Sequence, residues 1–189
     1  SNRRILGPDG RVKYVRYSSC RDEKVRAEPE GVIDPLLRSI TFWNADRPVA
    51  ILTYYATHPQ SYYGKGGVSA DFVGMARAMR EKEVPGALHM HFNGAGGNVA
   101  AGKYNDGSPA MRPVLAERLA EGMRTAWNSS EKHPLRARDI GWRTLRVVLP
   151  PHERLRDRAA LEKTLADSNA TTRTRLGAAR ELAWLDRGH

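Results

Sequence analysis

The sequence predicts an α/β fold: a mixed central sheet flanked by helices, with a helical C-terminal segment. Three observations lead there. Short apolar runs of strand length alternate with amphipathic stretches of helix length, the pattern of layered α/β proteins. One run, residues 49–57, is apolar enough to be central in a sheet. From residue 153 to residue 187 the periodicity is helical, with a break near Ser168-Asn169.

Taken in order, Gly7-Pro8-Asp9-Gly10 is a turn, and residues 11–17 alternate basic and apolar side chains as a short strand does. Residues 20–30 are charged and predict no regular element. Residues 36–43 read as a second strand, introduced by Asp34-Pro35 and closed by Asn44-Ala45-Asp46-Arg47-Pro48. With the run at 49–57 it makes a hairpin. A Tyr/Gly loop at 61–67 precedes a helix with Ser69 or Asp71 as its cap and Phe72, Met75, Ala76 and Met79 on one face. Pro85-Gly86 stops that helix; residues 87–92 form a strand and 93–109 a long loop. Residues 111–127 are an amphipathic helix with Pro113 in its first turn, where a missing N–H costs nothing. Residues 140–149 predict one more strand. The division expected is 1–150 as one α/β portion of a catalytic domain and 151–189 as its helical extension. Both ends read as cuts through a larger domain: the first residues open directly on a turn and strand, and amphipathic helix runs almost to His189.

Composition narrows the classes. A chain of this length buries about 70% of its unfolded surface, enough for one core. No stretch approaches the roughly 20 apolar residues of a membrane span, and Ser1-Asn2-Arg3-Arg4 has no signal-peptide core. Cys20 is the single cysteine, so no internal disulfide forms; with no base beside it in sequence it reads as a loop thiol. The net charge of +10 raises nucleic acid as a partner. The arginines, however, are interleaved with Asp139, Glu153 and Asp157, and no aromatic-basic surface pattern accompanies them, so no nucleic-acid partner is expected.

Three constellations could carry chemistry. In Tyr54-Tyr55-Ala56-Thr57-His58-Pro59-Gln60-Ser61, a strand delivers His58 to its C-terminal edge, where open α/β sheets bind ligands, and Pro59 ends the ladder. A neutral imidazole there serves as a zinc ligand, as a general base, or simply as a packed strand-end side chain. In Ser69-Ala70-Asp71-Phe72, Asp71 caps the helix or orients a metal-bound histidine. In His89-Met90-His91-Phe92-Asn93-Gly94-Ala95-Gly96-Gly97-Asn98, alternation puts His89, His91 and Asn93 on one strand face, as a metal pair or as a polar stripe under a helix. The glycines after it let backbone N–H groups approach an oxyanion. Gly97-Asn98-Val99-Ala100-Ala101-Gly102-Lys103 also matches the core of a phosphate-binding loop. Tyr104 stands where a magnesium-binding Ser or Thr belongs, and Asn105-Asp106-Gly107-Ser108-Pro109 breaks the helix such a loop needs.

In sequence order, these pieces resemble the N-terminal catalytic domain of the neutral/alkaline (non-lysosomal) ceramidases. Asn2-Arg3 is similar to that family's Asn-Arg-Ser segment, and Gly31-Val32-Ile33-Asp34-Pro35 with Leu37 to its Gly-x-x-Asp-Pro-x-Leu. The strand ending in His58-Pro59 resembles the one whose histidine binds zinc. Ser69-Ala70-Asp71-Phe72-Val73-Gly74 resembles its Ser-x-Asp-x-x-Gly helix start, and Asn93-Gly94-Ala95-Gly96-Gly97-Asn98 its Gln-Gly-Ala-x-Gly-Asp loop. The likeness spans residues 2–102. It implies a hydrolase of amide or ester bonds with Zn2+ as cofactor and His58 as one ligand. Asp71 and Asn98 would take catalytic positions, and Gln60, Asn93, Gly94 and Gly97 would meet a small-molecule or lipid-like substrate. The family's other zinc ligands, an earlier histidine and a later Glu and Tyr, would fall in parts of the domain outside residues 1–189. Two departures qualify it. Ala100 has no hydroxyl where the family carries its proposed nucleophilic serine, and Asn98 is neutral where the family has aspartate. A non-catalytic ligand-binding relative of the same fold is the alternative.

Overall fold

The structure, a computed structural model, describes residues 1–61, 64, 67–148 and 157–187. They fall into two compact units, Ser1–His133 and Pro134–His189.

In the first unit, β1 (Arg4–Leu6) pairs antiparallel with β2 (Val12–Val15) across the Gly7–Gly10 turn, where Gly10 takes a φ of 74°. The stretch expected to be irregular contains a helix, α1 (Glu23–Ala27). Five residues are too few to show a period, but the start signal is present: Asp22 Oδ1 accepts from Lys24 N (2.9 Å) and Val25 N (3.3 Å).

The hairpin forms as expected from β3 (Arg38–Asn44) and β4 (Arg47–Tyr54), joined through Ala45-Asp46. β5 (Leu88–Phe92) then pairs parallel to β4, so the sheet is mixed, in order β3-β4-β5 with the apolar β4 central. A parallel neighbour requires a crossover. That crossover is α2 (Asp71–Glu83), which ends before Pro85 and Gly86 (φ 85°). The last long helix of this unit, α3 (Met111–Asn128), packs against α2. Phe72 and Ala76 of α2 meet Leu115, Ala116, Leu119, Ala120 and Met123 of α3 in the main core, with Met75 and Met79 packed against it. On β4, Ile51 and Thr53 are buried. The opposite sheet face is apolar and open: Ile40, Phe42, Leu88 and Phe92 are 51, 44, 60 and 44% exposed.

The second unit departs from expectation at residues 140–149. Up to Val148 these show no strand, after a 3-10 turn at Ala137–Asp139; Leu149 lies outside the described residues. Strand formers still need a neighbour to complete their N–H and C=O bonds, and none is paired with them among the described residues, so Trp142 and Leu145 stand 92 and 83% exposed. The helical reading holds from residue 157 onward, residues 153–156 lying outside the description. α4 (Arg158–Ala166), capped by Asp157, and α5 (Thr172–Arg187) pack as a hairpin around Ala178 and Leu182. An Arg158–Asp186 ion pair joins the start of one helix to the end of the other. The break falls at residues 167–171.

Candidate functional site

β4 ends at Tyr54, three residues short of the expected strand end; the chain bends at Thr57, whose N–H donates to Tyr55 O (2.9 Å), and runs alongside the loop that follows β5. Tyr55 N donates to Phe92 O (3.1 Å), Thr57 N to Asn93 O (3.2 Å) and His58 N to Val99 O (2.9 Å). So close an approach depends on the glycines. Gly94 sits at φ 59°, which favours glycine, and a Cβ on Gly96 would lie 2.8 Å from the Thr57 carbonyl carbon. The loop therefore folds onto the back of the histidine.

That fold fixes the imidazole. His58 Nδ1 faces two carbonyl oxygens, of Gly96 at 2.7 Å and Val99 at 3.1 Å, so it must carry the proton and donate. Nε2 then keeps its lone pair, which accepts from Arg3 Nη1 at 3.3 Å. Arg3 is held there by backbone bonds. Its N–H donates to Asn98 O (2.7 Å), its carbonyl accepts from Arg16 N (2.7 Å), and Asn2 bridges to Val99. An Nδ1–H anchored on backbone carbonyls, with the lone pair on Nε2, is the tautomer that metal-binding histidines adopt. As a donor atom for zinc, His58 therefore fits. The set does not: among the described residues no group of three or more His, Cys, Asp or Glu could hold a metal ion.

The other expected residues fall around this centre in different ways. Asp71 does not cap α2 in the usual manner. It takes a φ of 50°, and its carboxylate accepts from Ser61 N (2.9 Å) and Ser61 Oγ, as well as from the adjacent Phe72 N (2.6 Å). It thus ties the turn after His58 to the helix start. Gln60 Oε1 accepts from Ser18 Oγ (3.3 Å), and Asn98 Oδ1 accepts from Arg4 N and Arg4 Nη1, both at 3.2 Å. Asn93 and Gly94 are exposed, and Gly97 is open, with nothing within 4 Å of an added Cβ. Ala100 is 1% exposed and lines an apolar cavity of about 360 Å³ with Tyr55, Thr57, Phe72, Leu115 and Leu119.

His89 and His91 do not join His58. His89 Nε2 lies 3.3 Å from Val84 O. Thr53 Oγ1 donates to Met90 O (3.2 Å), which leaves it to accept from His91 Nδ1 (2.8 Å). His91 Nε2 is buried with no partner, and burial holds the His91 pKa below the ordinary value. The unfolded state therefore binds the His91 proton more readily than the native state. The stability that a neutral His91 contributes is complete above pH ~6.5 and is lost as pH falls below it toward the depressed native value. Urea unfolding followed from pH 8 to pH 5 is expected to show this loss, and His91→Gln to reduce it; an unchanged slope in the variant would remove the assignment.

The segment that mimics a phosphate-binding loop has another use. Lys103 Nζ donates to the carbonyls of Arg26 (2.9 Å), Ala27 (3.4 Å) and Glu28 (2.7 Å), at the C-terminal end of α1. Gly102 is pressed so close to Tyr17 O that a Cβ would stand 2.1 Å away. The lysine that a phosphate-binding loop needs is thus committed to backbone carbonyls.

Three residues of the neighbourhood escaped the sequence reading. Arg3 carried only a motif similarity. Arg16, 1% exposed, looked like one more strand arginine. Asn105, fully buried, looked like part of a turn; an Asn before Asp106-Gly107 was the signal present.

No protein-family model matches the chain, and no curated protein or solved structure matches it.

Proposed function

We propose that this chain is part of a zinc-dependent hydrolase that cleaves an amide or ester bond in a lipid-like substrate. The observation that carries the reading is the His58 imidazole, with Nδ1 clamped by the Gly96 and Val99 carbonyls and Nε2 left as a lone pair. With Nδ1–H spent on backbone carbonyls, Nε2 is the ring atom that could serve a metal. In this reading His58 is one zinc ligand, and the earlier histidine and later Glu and Tyr suggested by the ceramidase resemblance complete the set from outside residues 1–189.

Zinc, when bound, supplies a Lewis acid and lowers the pKa of a bound water. The chain's own residues do the rest. Gly96 and Val99 hold the imidazole. Arg3 reaches Nε2; were a metal to take that lone pair, the guanidinium would be available as a donor to a substrate carbonyl oxygen. Asp71 secures the turn that follows His58 through Ser61. The mostly apolar cavity at Ala100, of about 360 Å³, is suited to a hydrocarbon segment, with Glu30 and Arg118 as charged groups in its lining. With alanine at position 100 the attacking group is not a serine there.

A non-catalytic binding relative is the second reading, favoured by the commitment of the Asn98 side chain to Arg4 and by Ala100. The test uses the full-length protein with an N-acyl amide and the matching ester. Chelator-sensitive hydrolysis restored by zinc, and lost in His58→Ala, is expected. Binding of the same lipids with no turnover under any metal condition would overturn the enzyme reading in favour of the binding one.

A further inference from the structure

Ser61, three residues after His58, is 2% exposed, and each of its polar groups is engaged. Its N–H and Oγ donate to Asp71, and its carbonyl accepts from Asn105 Nδ2 at 2.9 Å. Asn105 has no exposed surface. Its second Nδ2 hydrogen goes to Ser18 O (2.7 Å), its Oδ1 accepts from Gly107 N (3.0 Å), and its backbone carbonyl accepts from Cys20 N (2.9 Å). One buried amide thus joins the segment after β2, the turn after His58 and the turn before α3.

We infer that Asn105 is a positioning residue for His58: it fixes Ser61 against the Ser18 segment and so holds the imidazole on the Gly96 and Val99 carbonyls. This rests on the reading of His58 as the working side chain. The chemistry of the position is specific to an amide. Two carbonyls 43 positions apart in sequence converge on one nitrogen, which must supply two hydrogens, while the oxygen beside it accepts a third bond. Aspartate would turn an oxygen toward two carbonyls, serine would supply one hydrogen, and glutamine would add a methylene to a site without room. Only Pro59 and Gln60 separate His58 from Ser61, and Pro59 has a fixed φ, so a shift at Ser61 passes directly to the ring. Gln60 is fastened to Ser18 as well, which leaves the turn little freedom to absorb the shift. A donor group displaced by about 0.5 Å is already outside productive geometry.

The test reads the imidazole itself, in the metal-free full chain with nitrogen-15 in its histidine rings and asparagine side-chain amides. Wild-type His58 is expected to show distinct protonated-Nδ1 and bare-Nε2 resonances. In Asn105→Ala these are expected to collapse toward a tautomeric average. In Met123→Ala, a truncation in the α2–α3 core that does not line the cavity at Ala100, they are expected to stay separate. A folded Asn105→Ala chain with wild-type His58 resonances would overturn the proposal. Should that variant fail to fold, the wild type is followed through sub-denaturing urea, where the Asn105 side-chain amide and the His58 ring signals are expected to change together. Loss of the Asn105 amide signal with the His58 pair intact would overturn it equally. Because no metal is present, the result stands apart from whether zinc is the cofactor.

Discussion

Replacing Arg16 with alanine is expected to destabilise the Ser1–His133 unit by about 3–5 kcal/mol, among the larger single-residue effects in a small protein. The guanidinium is buried where three segments meet. Nη1 donates to the carbonyls of Val25 (3.1 Å) and Glu28 (3.0 Å), and Nη2 to those of Pro29 (2.9 Å) and Asn2 (3.4 Å). Removing it strands those acceptors, and each buried unpaired carbonyl costs about 1–3 kcal/mol unless water reaches it. Burial pulls the Arg16 pKa below its ordinary value, but an arginine stays charged, so desolvation offsets part of what the bonds contribute. Arg16→Lys keeps the charge and loses the planar fork, and is expected to recover a minor share. Urea unfolding of the three proteins checks this. A cost below about 1 kcal/mol would mean that the carbonyls find water instead.

Gly96→Ala is expected to act on the site more than on the fold. The added Cβ would lie 2.8 Å from Thr57 C, 2.9 Å from Thr57 O and 3.2 Å from His58 N, all backbone atoms that cannot rotate aside. The loop must move off the strand end, and with it the Gly96 carbonyl that receives His58 Nδ1–H. Loss of such a second partner of a metal-bound histidine lowers metal affinity or activity by about 10–100-fold. Zinc affinity and hydrolysis are expected to fall together by that order. Gly97→Ala, one residue on and in open space, is expected to leave zinc affinity unchanged. Equal behaviour of the two variants would separate loop packing from the histidine.

The sequence was most legible where local pattern and tertiary need coincide. The apolar run of β4 implied a central strand because a strand with neighbours on both sides is dehydrated along its length. Pro85-Gly86 marked the end of α2, whereas β4 stops at Tyr54, five residues before Pro59. At residues 140–149 the expected strand does not form up to Val148, since propensity cannot supply a partner strand. Within the site, His58 was visible as a strand-end histidine, but its tautomer was not. That depends on carbonyls 38 and 41 positions away, brought near by glycines whose role is the absence of a side chain. Arg16 and Asn105 left little trace for a related reason. Buried polar residues are defined by the carbonyls they meet, and those lie in segments whose proximity only folding establishes.

The central claim is that the His58 Nε2 lone pair is a zinc ligand. Zinc stoichiometry and affinity, determined for the full-length protein beside His58→Ala and His89→Ala, test it most directly. One bound zinc in the wild type and in His89→Ala, with occupancy lost in His58→Ala, is the result predicted. Equal zinc in all three proteins would contradict the assignment.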